Sequence, residues 1–243
     1  MSDSIVNTQT AARFLGVSEA SVRRWSDSGV LAVQRSSPRG RRRYAKEDLI
    51  RFREQIGVTP QGSGGVAIGS VVLPLHSHLA TFYDSEAGRL RLTIPFLRDG
   101  LRLGQPCFLV VTGRTRDMYL RALEQEGIAA QDAIDSGRLS ILPGIGPRTE
   151  DALAVWEEGF WKAVNQGATI LRVVGEMESE RQAFESDQEM IAYEFAVNAL
   201  TERFPCVVLC QYDVRQFDGM TILGALKAHP HLMGDDRLGD VLL

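Results

Sequence analysis

The side chains able to do chemistry in this sequence fall into two groups. The first is an arginine run, Arg39-Gly-Arg-Arg-Arg43 followed by Tyr44, which sets four guanidinium groups in five residues. Like charges at that density repel one another unless an anion neutralises them, so the run points to a polyanion. Upstream, Ser18, Ser21, Arg23 and Arg24 add small hydroxyls and two more cations. The second group is spread along the remaining chain: His76 and His78, Tyr83, Thr112-Gly113-Arg114, Glu176, and Tyr212-Asp213.

His76 and His78 stand two apart, so on a strand they would share a face. That spacing permits metal chelation, but no carboxylate or cysteine lies near them in sequence. Hydrogen bonding to a ligand or to the core is the expected role, with no metal and no certain cofactor. Cys206 and Cys210 would also share a strand face, and with Cys107 they make three, which cannot all pair within the chain. Buried free thiols in a reduced compartment follow. Glu176 closes an apolar run, and two readings stay open for it: accepting a hydrogen bond from a ligand, or pairing with Arg172 or Arg181. Glu194, flanked by Tyr193 and Asn198 in a helical stretch, reads as a buried hydrogen-bonding partner. With only four histidines, no Ser-His-Asp or Cys-His set can be assembled. A nucleotide hydrolase would carry Gly-x-x-x-x-Gly-Lys-Ser/Thr at its first strand–helix junction. The junction here, Val110-Val-Thr-Gly-Arg-Thr-Arg-Asp117, has one glycine and no lysine. An enzyme is therefore not expected, although Arg114 leaves a charged or nucleotide ligand open.

The elements that position these residues divide the chain in two. Of its 243 residues, 44% are hydrophobic and 24% charged, an ordinary globular composition with room for two domains. The net charge of −4 is unevenly placed: residues 1–57 carry +5 and the remainder −9. A basic head on an acidic body suggests that the head alone meets a phosphate backbone. No apolar run approaches the roughly 18 residues of a membrane span, and the opening residues lack a signal peptide's pattern, so a cytoplasmic protein is expected. The segment 57–69 is rich in glycine without helical or strand period and reads as a flexible linker between domains at 1–56 and 70–243.

In the head, Thr8–Gly16 reads as a short helix with a Thr cap, and Ser18 as the N-cap of a second helix ending before Gly29. Val30–Val33 reads as the first strand of a hairpin whose tip carries the arginines, and Lys46–Phe52 as a third helix. Ala12, Leu15, Val17, Val22 and Trp25 supply the core. In the body, strands at 107–112, 139–142, 169–174 and 206–212 alternate with helices at 116–126, 150–165, 188–203 and 219–228. Apolar strands separated by helices predict an α/β fold: a mainly parallel sheet covered on both faces, with function gathered beyond the strands' carboxyl ends.

The head resembles the MerR/excisionase class of winged helix-turn-helix domains. The residues carrying the likeness are Thr10-Ala-Ala-Arg-Phe-Leu-Gly-Val-Ser18, Ser21-Val-Arg-Arg-Trp25 with Gly29 and Leu31, Gly40-Arg-Arg-Arg-Tyr44, and Glu47-Asp-Leu49. That resemblance implies double-stranded DNA as partner. The second helix (Ser18, Ser21, Arg23, Arg24) would enter the major groove, and the wing (Arg39, Arg41, Arg42, Arg43, Tyr44) would lie along phosphates or the minor groove. Trp25 is expected to pack in the core. Regulators of that class dimerise through a long helix after the head, whereas here a glycine-rich segment follows, so a homodimer would form through the body.

The body resembles the MEDS domain, the sensory domain of DcmR-type regulators of methanogens and methylotrophs. The landmarks are His76-x-His78 with Tyr83, Pro95–Leu101, Gly104–Cys107, Arg172–Met177, Tyr193-Glu194 with Asn198, and Leu209–Asp213 leading to His229-Pro230. That resemblance implies a RecA/KaiC-like core turned from hydrolysis to sensing an unidentified small molecule. Its candidate ligand residues are His76, His78, Tyr83, Thr112, Gly113, Arg114, Glu176, Tyr212 and Asp213. Together the readings describe a one-component transcription regulator. The alternatives are an architectural DNA-binding protein whose body only oligomerises, and a nucleotide-binding ATPase relative.

Overall fold

In the computed structural model, residues 5–35, 40–56, 65–68, 71–234 and 238–240 are described. Contacts group the chain into two units, residues 1–63 with 161–169, and 64–160 with 170–243.

The head begins with a short strand, β1 (Ile5–Asn7), followed by helices α1 (Thr8–Leu15) and α2 (Glu19–Asp27). Next come β2 (Gln34–Arg35), β3 (Arg42–Ala45) and α3 (Lys46–Ile56). Helix α1 is capped by Asn7, whose side chain accepts from the Thr10 amide at 2.9 Å, so the cap is one residue earlier than the expected Thr8. Gly16 ends it in a left-handed conformation (φ 65°) that a Cβ would strain. Ser18 caps α2 as its position predicts, accepting from the Ser21 amide. The three strands form an antiparallel sheet in the order β1-β3-β2, with Val6 opposite Tyr44 and Gln34 opposite Arg43. The wing's first strand is thus Gln34–Arg35 rather than Val30–Val33, because the chain leaving Gly29 still closes turns onto Trp25 through the Val30 and Leu31 amides. Strand β1 is too short to show a period in the sequence.

Between head and body, strand β4 (Gly65–Ile68) pairs antiparallel with β5 (Val71–Pro74). Gly65–Ile68 had the composition of a linker; the alternation that buries Val66 and Ile68 against Leu73 is only four residues long and is hidden by flanking glycines. The rest of the expected linker, 57–64 and 69, lies outside the described residues.

The body then runs β6 (Ser77–Tyr83), α4 (Glu86–Arg102), β7 (Cys107–Val110), α5 (Gly113–Gln125), α6 (Ala130–Asp135), β8 (Leu139–Leu142), α7 (Thr149–Asn165), β9 (Leu171–Glu176), α8 (Met177–Arg181), α9 (Asp187–Arg203), β10 (Cys206–Asp213), α10 (Gly219–Ala228), β11 (His231–Met233) and β12 (Leu238–Asp240). Its sheet has the order β12-β11-β6-β10-β9-β7-β8. Six strands are parallel, and β12 alone is antiparallel to its neighbour β11. The predicted α/β class, with a small helix-turn-helix head and a larger mainly parallel sheet domain, is what the structure shows. All residues of β7, β9 and β10 are buried, as a sheet covered on both faces requires.

A buried cation joins the helical layer to this sheet. Arg172 on β9, 2% exposed, donates to Gln105 Oε1 and to the Phe96 carbonyl, both at 2.7 Å, beneath Gly100 of α4. A Cβ on Gly100 would meet Arg172 Cδ at 2.5 Å and Cys107 Sγ at 2.8 Å. Because both hydrogen bonds pin that guanidinium, Gly100→Ala is expected to destabilise the body by about 1–3 kcal/mol. Urea denaturation followed by circular dichroism measures this, and an unchanged midpoint would mean that Arg172 swings aside freely.

Candidate functional site

Several of the head's cations line shared clefts, Arg23, Arg35, Arg41 and Arg42 in one and Arg35, Arg41 and Arg43 in another. Arg24, Arg41 and Arg43 are exposed, and none of them forms an ion pair among the described residues. Arg23 is held by Glu19 one turn back, at 2.5 Å. Arg42 and Arg35 both reach Asp27, at 2.6 and 2.9 Å, which ties the wing strands to the end of α2. A cleft of about 550 Å³ is lined by Asn7, Thr8, Gln9, Glu19, Arg23, Arg35, Gly40, Arg41 and Arg42. Ser18 and Ser21 are engaged with each other, their hydroxyls 3.1 Å apart, so Ser18 is first a cap. Tyr44, expected in the wing's contact set, is fully buried with its hydroxyl 3.3 Å from Ser26; alternation along β3 turns it inward while Arg43 faces out. Trp25 packs on Phe52, ring centroids 5.1 Å apart. Arg39 lies outside the described residues.

In the body, several predicted residues gather where the parallel strands end. Tyr83 at the end of β6 donates to Glu176 Oε1 at 2.5 Å. Glu176 Oε2 caps α8, accepting from the Ser179 amide and hydroxyl at 3.1 Å each. Ser179 Oγ in turn accepts from the amide and hydroxyl of Thr112. Asp213, ending β10, holds Arg215 at 2.6 Å, and its carboxyl lies below the usual range because of that hydrogen-bonded partner. Arg89 on α4 stands among them, 3.1 Å from Glu178, 3.6 Å from Asp213 and 3.7 Å from Glu176, and donates to Thr115. Burial raises the Glu176 carboxyl above its ordinary value despite Tyr83 and Arg89, and burial followed by the Glu176 charge raises the Tyr83 phenol. Glu176 pairs with neither expected arginine: Arg172 points to Gln105, and Arg181 is bidentate to Asp187. Gly113 and Arg114 are exposed beside this rim.

The two predicted histidines separate. His76 sits in the turn before β6 with φ 67° and bonds the Thr201 carbonyl through Nδ1, so it shares no strand face with His78. His78 instead enters a buried cluster with Glu194, Cys210 and His229, four donor atoms all within 4.8 Å of one another. His78 Nε2 lies 3.3 Å from Cys210 Sγ and 3.5 Å from Glu194 Oε2, which is 2.7 Å from His229 Nε2. Burial pushes Glu194 upward, but His229 and His78 outweigh it and hold the carboxyl below its ordinary range. Burial, then His229, lowers His78; burial, then Glu194 and Glu180, raises the Cys210 thiol. Tyr212 is buried on this side of β10, its ring 6.0 Å from His229, because it alternates with Asp213 and so leaves the rim. Among the described residues this cluster is the set that could hold a metal ion.

Residues 77–230 match the sequence profile of the methanogen/methylotroph DcmR sensory domain, MEDS, over more than half of the chain. The chain belongs to the MEDS family. Residues 5–56 match a helix-turn-helix domain, so the MEDS domain follows such a head here. The chain is also similar to the transcriptional repressor DcmR of Methylorubrum extorquens (strain DSM 6343 / CIP 106787 / DM4). The two are 36% identical over 240 residues, which is 93% of this chain and 90% of the relative.

Sequence reasoning missed Arg89 and Ser179; it named Glu194, Asn198, Cys210 and His229, with Glu194 as a buried hydrogen-bonding partner, but did not connect them to His78. Ser179 carried little signal, since Glu176-x-x-Ser179 reverses the usual Ser/Thr-x-x-Glu order of a capping pattern. Arg89 carried none, lying in an arginine-rich helix interrupted by Pro95. A cleft of about 590 Å³ on the MEDS domain is lined by Arg181, Asp187, Gln188, Ile191, Asp218, Met220, Thr221 and Gly224, none of them in the predicted ligand set. Removing the donor to Glu176 with Tyr83→Phe leaves a buried carboxylate oxygen with only Arg89 at 3.7 Å. A loss of about 1–3 kcal/mol is expected by chemical denaturation, and no loss would show that Arg89 moves in to replace the hydroxyl.

Proposed function

We propose that this chain is a one-component transcription regulator: the head binds operator DNA, and the MEDS domain binds a small molecule that alters that binding. The observation that carries the first half is the exposed set Arg24, Arg41 and Arg43, cations without ion-pair partners among the described residues, beside a second helix capped for groove entry. In the MerR/excisionase-type reading, Ser21, Arg23 and Arg24 approach base edges, while Arg41, Arg42 and Arg43 follow phosphates. The likeness to a protein named as a transcriptional repressor supports repression as the outcome. A homodimer formed through the body would present two heads, and a coupling of roughly 1–3 kcal/mol between effector and DNA would change affinity about 5–150-fold.

The match to a sensory domain supports the second half. The rim around Tyr83, Thr112, Glu176 and Asp213, with exposed Gly113 and Arg114 beside it, is the proposed ligand region. The parallel sheet and the junction Val110–Asp117, which lacks a Lys-Ser/Thr pair, support reading the body as a RecA/KaiC-like core without hydrolysis, and the protein as a non-enzyme.

The test of DNA binding is fluorescence anisotropy of the full chain with a labelled duplex across a salt series. Replacing Arg41 and Arg43 together by Ala is expected to weaken binding to all sequences alike. The slope of log K against log salt should flatten by about 0.9 per lost phosphate contact, roughly 2 in total. An unchanged slope would remove the wing from the interface. Native mass spectrometry of the freshly purified chain tests sensing, through a small-molecule adduct on the full-length mass.

A further inference from the structure

We propose that His78, Glu194, Cys210 and His229 form a closed binding site for one divalent transition-metal ion, with zinc the cation their donors fit. This goes beyond the regulatory reading and stands independently of it.

Proton bookkeeping is the first support. Asn198 donates through Nδ2 to the Phe195 and Ala228 carbonyls, at 3.2 and 2.8 Å, which turns its Oδ1 toward His78 Nδ1 at 3.1 Å. His78 Nδ1 therefore carries the hydrogen. His229 Nδ1 faces the Ala225 carbonyl at 2.7 Å and must carry one too. With both Nδ1 atoms held by oxygen acceptors outside the cluster, each ring aims its Nε2 inward. There it meets a carboxylate, which only accepts. Glu194 Oε2 and His229 Nε2 are both fully buried and lie 2.7 Å apart. A carboxylate and ring nitrogens facing one another in a dry interior need a cation between them, a proton or a metal ion.

Geometry is the second. A tetrahedral zinc with bonds of about 2.0–2.3 Å sets its ligand atoms about 3.3–3.8 Å apart. His78 Nε2 lies 3.3 Å from Cys210 Sγ and 3.5 Å from Glu194 Oε2, both within that range, while Cys210 Sγ lies 3.6 Å from the other carboxylate oxygen, Oε1. The 2.7 Å contact of His229 Nε2 with Glu194 Oε2 has to widen, and all the ligand atoms already lie within 4.8 Å of one another. Both imidazoles already have the arrangement of metal-ligating histidines, Nε2 inward and Nδ1–H held by an oxygen acceptor.

Charge and closure are the third. A divalent ion with one carboxylate, one thiolate and two neutral imidazoles leaves the site with no net charge, as complete burial demands. Binding releases the Cys210 thiol proton to solvent while a sulfur–metal bond forms. All four ligands come from the protein, and each is 1% exposed or less, so no position is left for a substrate. The site is therefore structural, tying β6, α9, β10 and the end of α10 together. The mixed nitrogen, oxygen and sulfur set favours zinc over calcium or magnesium, which take oxygen alone.

The test uses the tag-free full-length chain purified without chelator. Elemental analysis is expected to find about one zinc per chain. After chelation, titration with cobalt(II) is expected to give the visible bands of a tetrahedral centre and a thiolate-to-cobalt charge-transfer band. Cys210→Ser should remove that band, while Cys107→Ser and Cys206→Ser keep it. Asn198→Ala, which frees only the outer hydrogen bond, should weaken metal affinity roughly 10–100-fold. If Cys210→Ser does not fold, the cobalt spectra of the unaltered chain and the two control variants decide. Absence of both stoichiometric zinc and the thiolate band, in a chain with native circular dichroism, would overturn the site. So would a band that survives Cys210→Ser or disappears with Cys107→Ser or Cys206→Ser.

Discussion

The body depends on one constraint: its central strand is dry from end to end. All eight residues of β10 are buried, and they include Gln211 and Asp213 as well as Cys210 and Tyr212. Water cannot satisfy polar groups there, so neighbouring elements must. Each face of the strand answers differently. One side carries Asp213 with Arg215 and Arg89, and Gln211 bonded to Tyr119. The other carries Cys210 and Tyr212 beside Glu194, His78 and His229. The position of α4, which supplies Arg89, and of α9, which supplies Glu194, follows from that need as much as from apolar packing.

The same logic shapes the rim. Glu176 ends β9, caps α8, accepts from Tyr83 and, through Ser179, reaches Thr112 at the start of α5. One carboxylate thus links the carboxyl ends of β6 and β9 to two helix starts. A ligand arriving at this edge would meet groups already positioned, which is how a scaffold lowers the entropy lost on binding. In the head the arrangement is reversed: Asp27 neutralises Arg35 and Arg42, which fix the wing, and leaves Arg41 and Arg43 exposed. Over residues 41–43 a cation that holds the fold, Arg42, stands between two that face solvent.

Much of the fold was legible because its signals are local. Apolar runs bounded by Gly and Pro placed β8 and α10 to the residue, and Ser18 announced its own cap. Helix α4 was not, since Pro95 interrupts its interior and its period is broken by buried Arg89 and Thr93. The rim was half legible: Tyr83, Glu176 and Asp213 end strands, where such sheets place their function, but Arg89 comes from a helix that no spacing connects to them. Tyr212 and Asp213 looked equivalent, and alternation along β10 separates them. The His76–His78 pair failed for a backbone reason, as His76 lies in a left-handed turn. The partners of His78 could not be seen, because nothing in a linear reading brings positions 194, 210 and 229 to it.

That separation has a further effect. His78 and Cys210 are 132 residues apart in the chain, and His229 comes later still. Contacts of such long range close late, after much of the loop entropy has been spent. During synthesis, β6 is complete long before the residues that enclose its histidine have left the ribosome. A nascent chain that has made α9 and β10 but not the residue after α10 leaves Glu194 without His229, one of its two histidine partners. His229, just past the end of α10, is the last of the four cluster residues to be made.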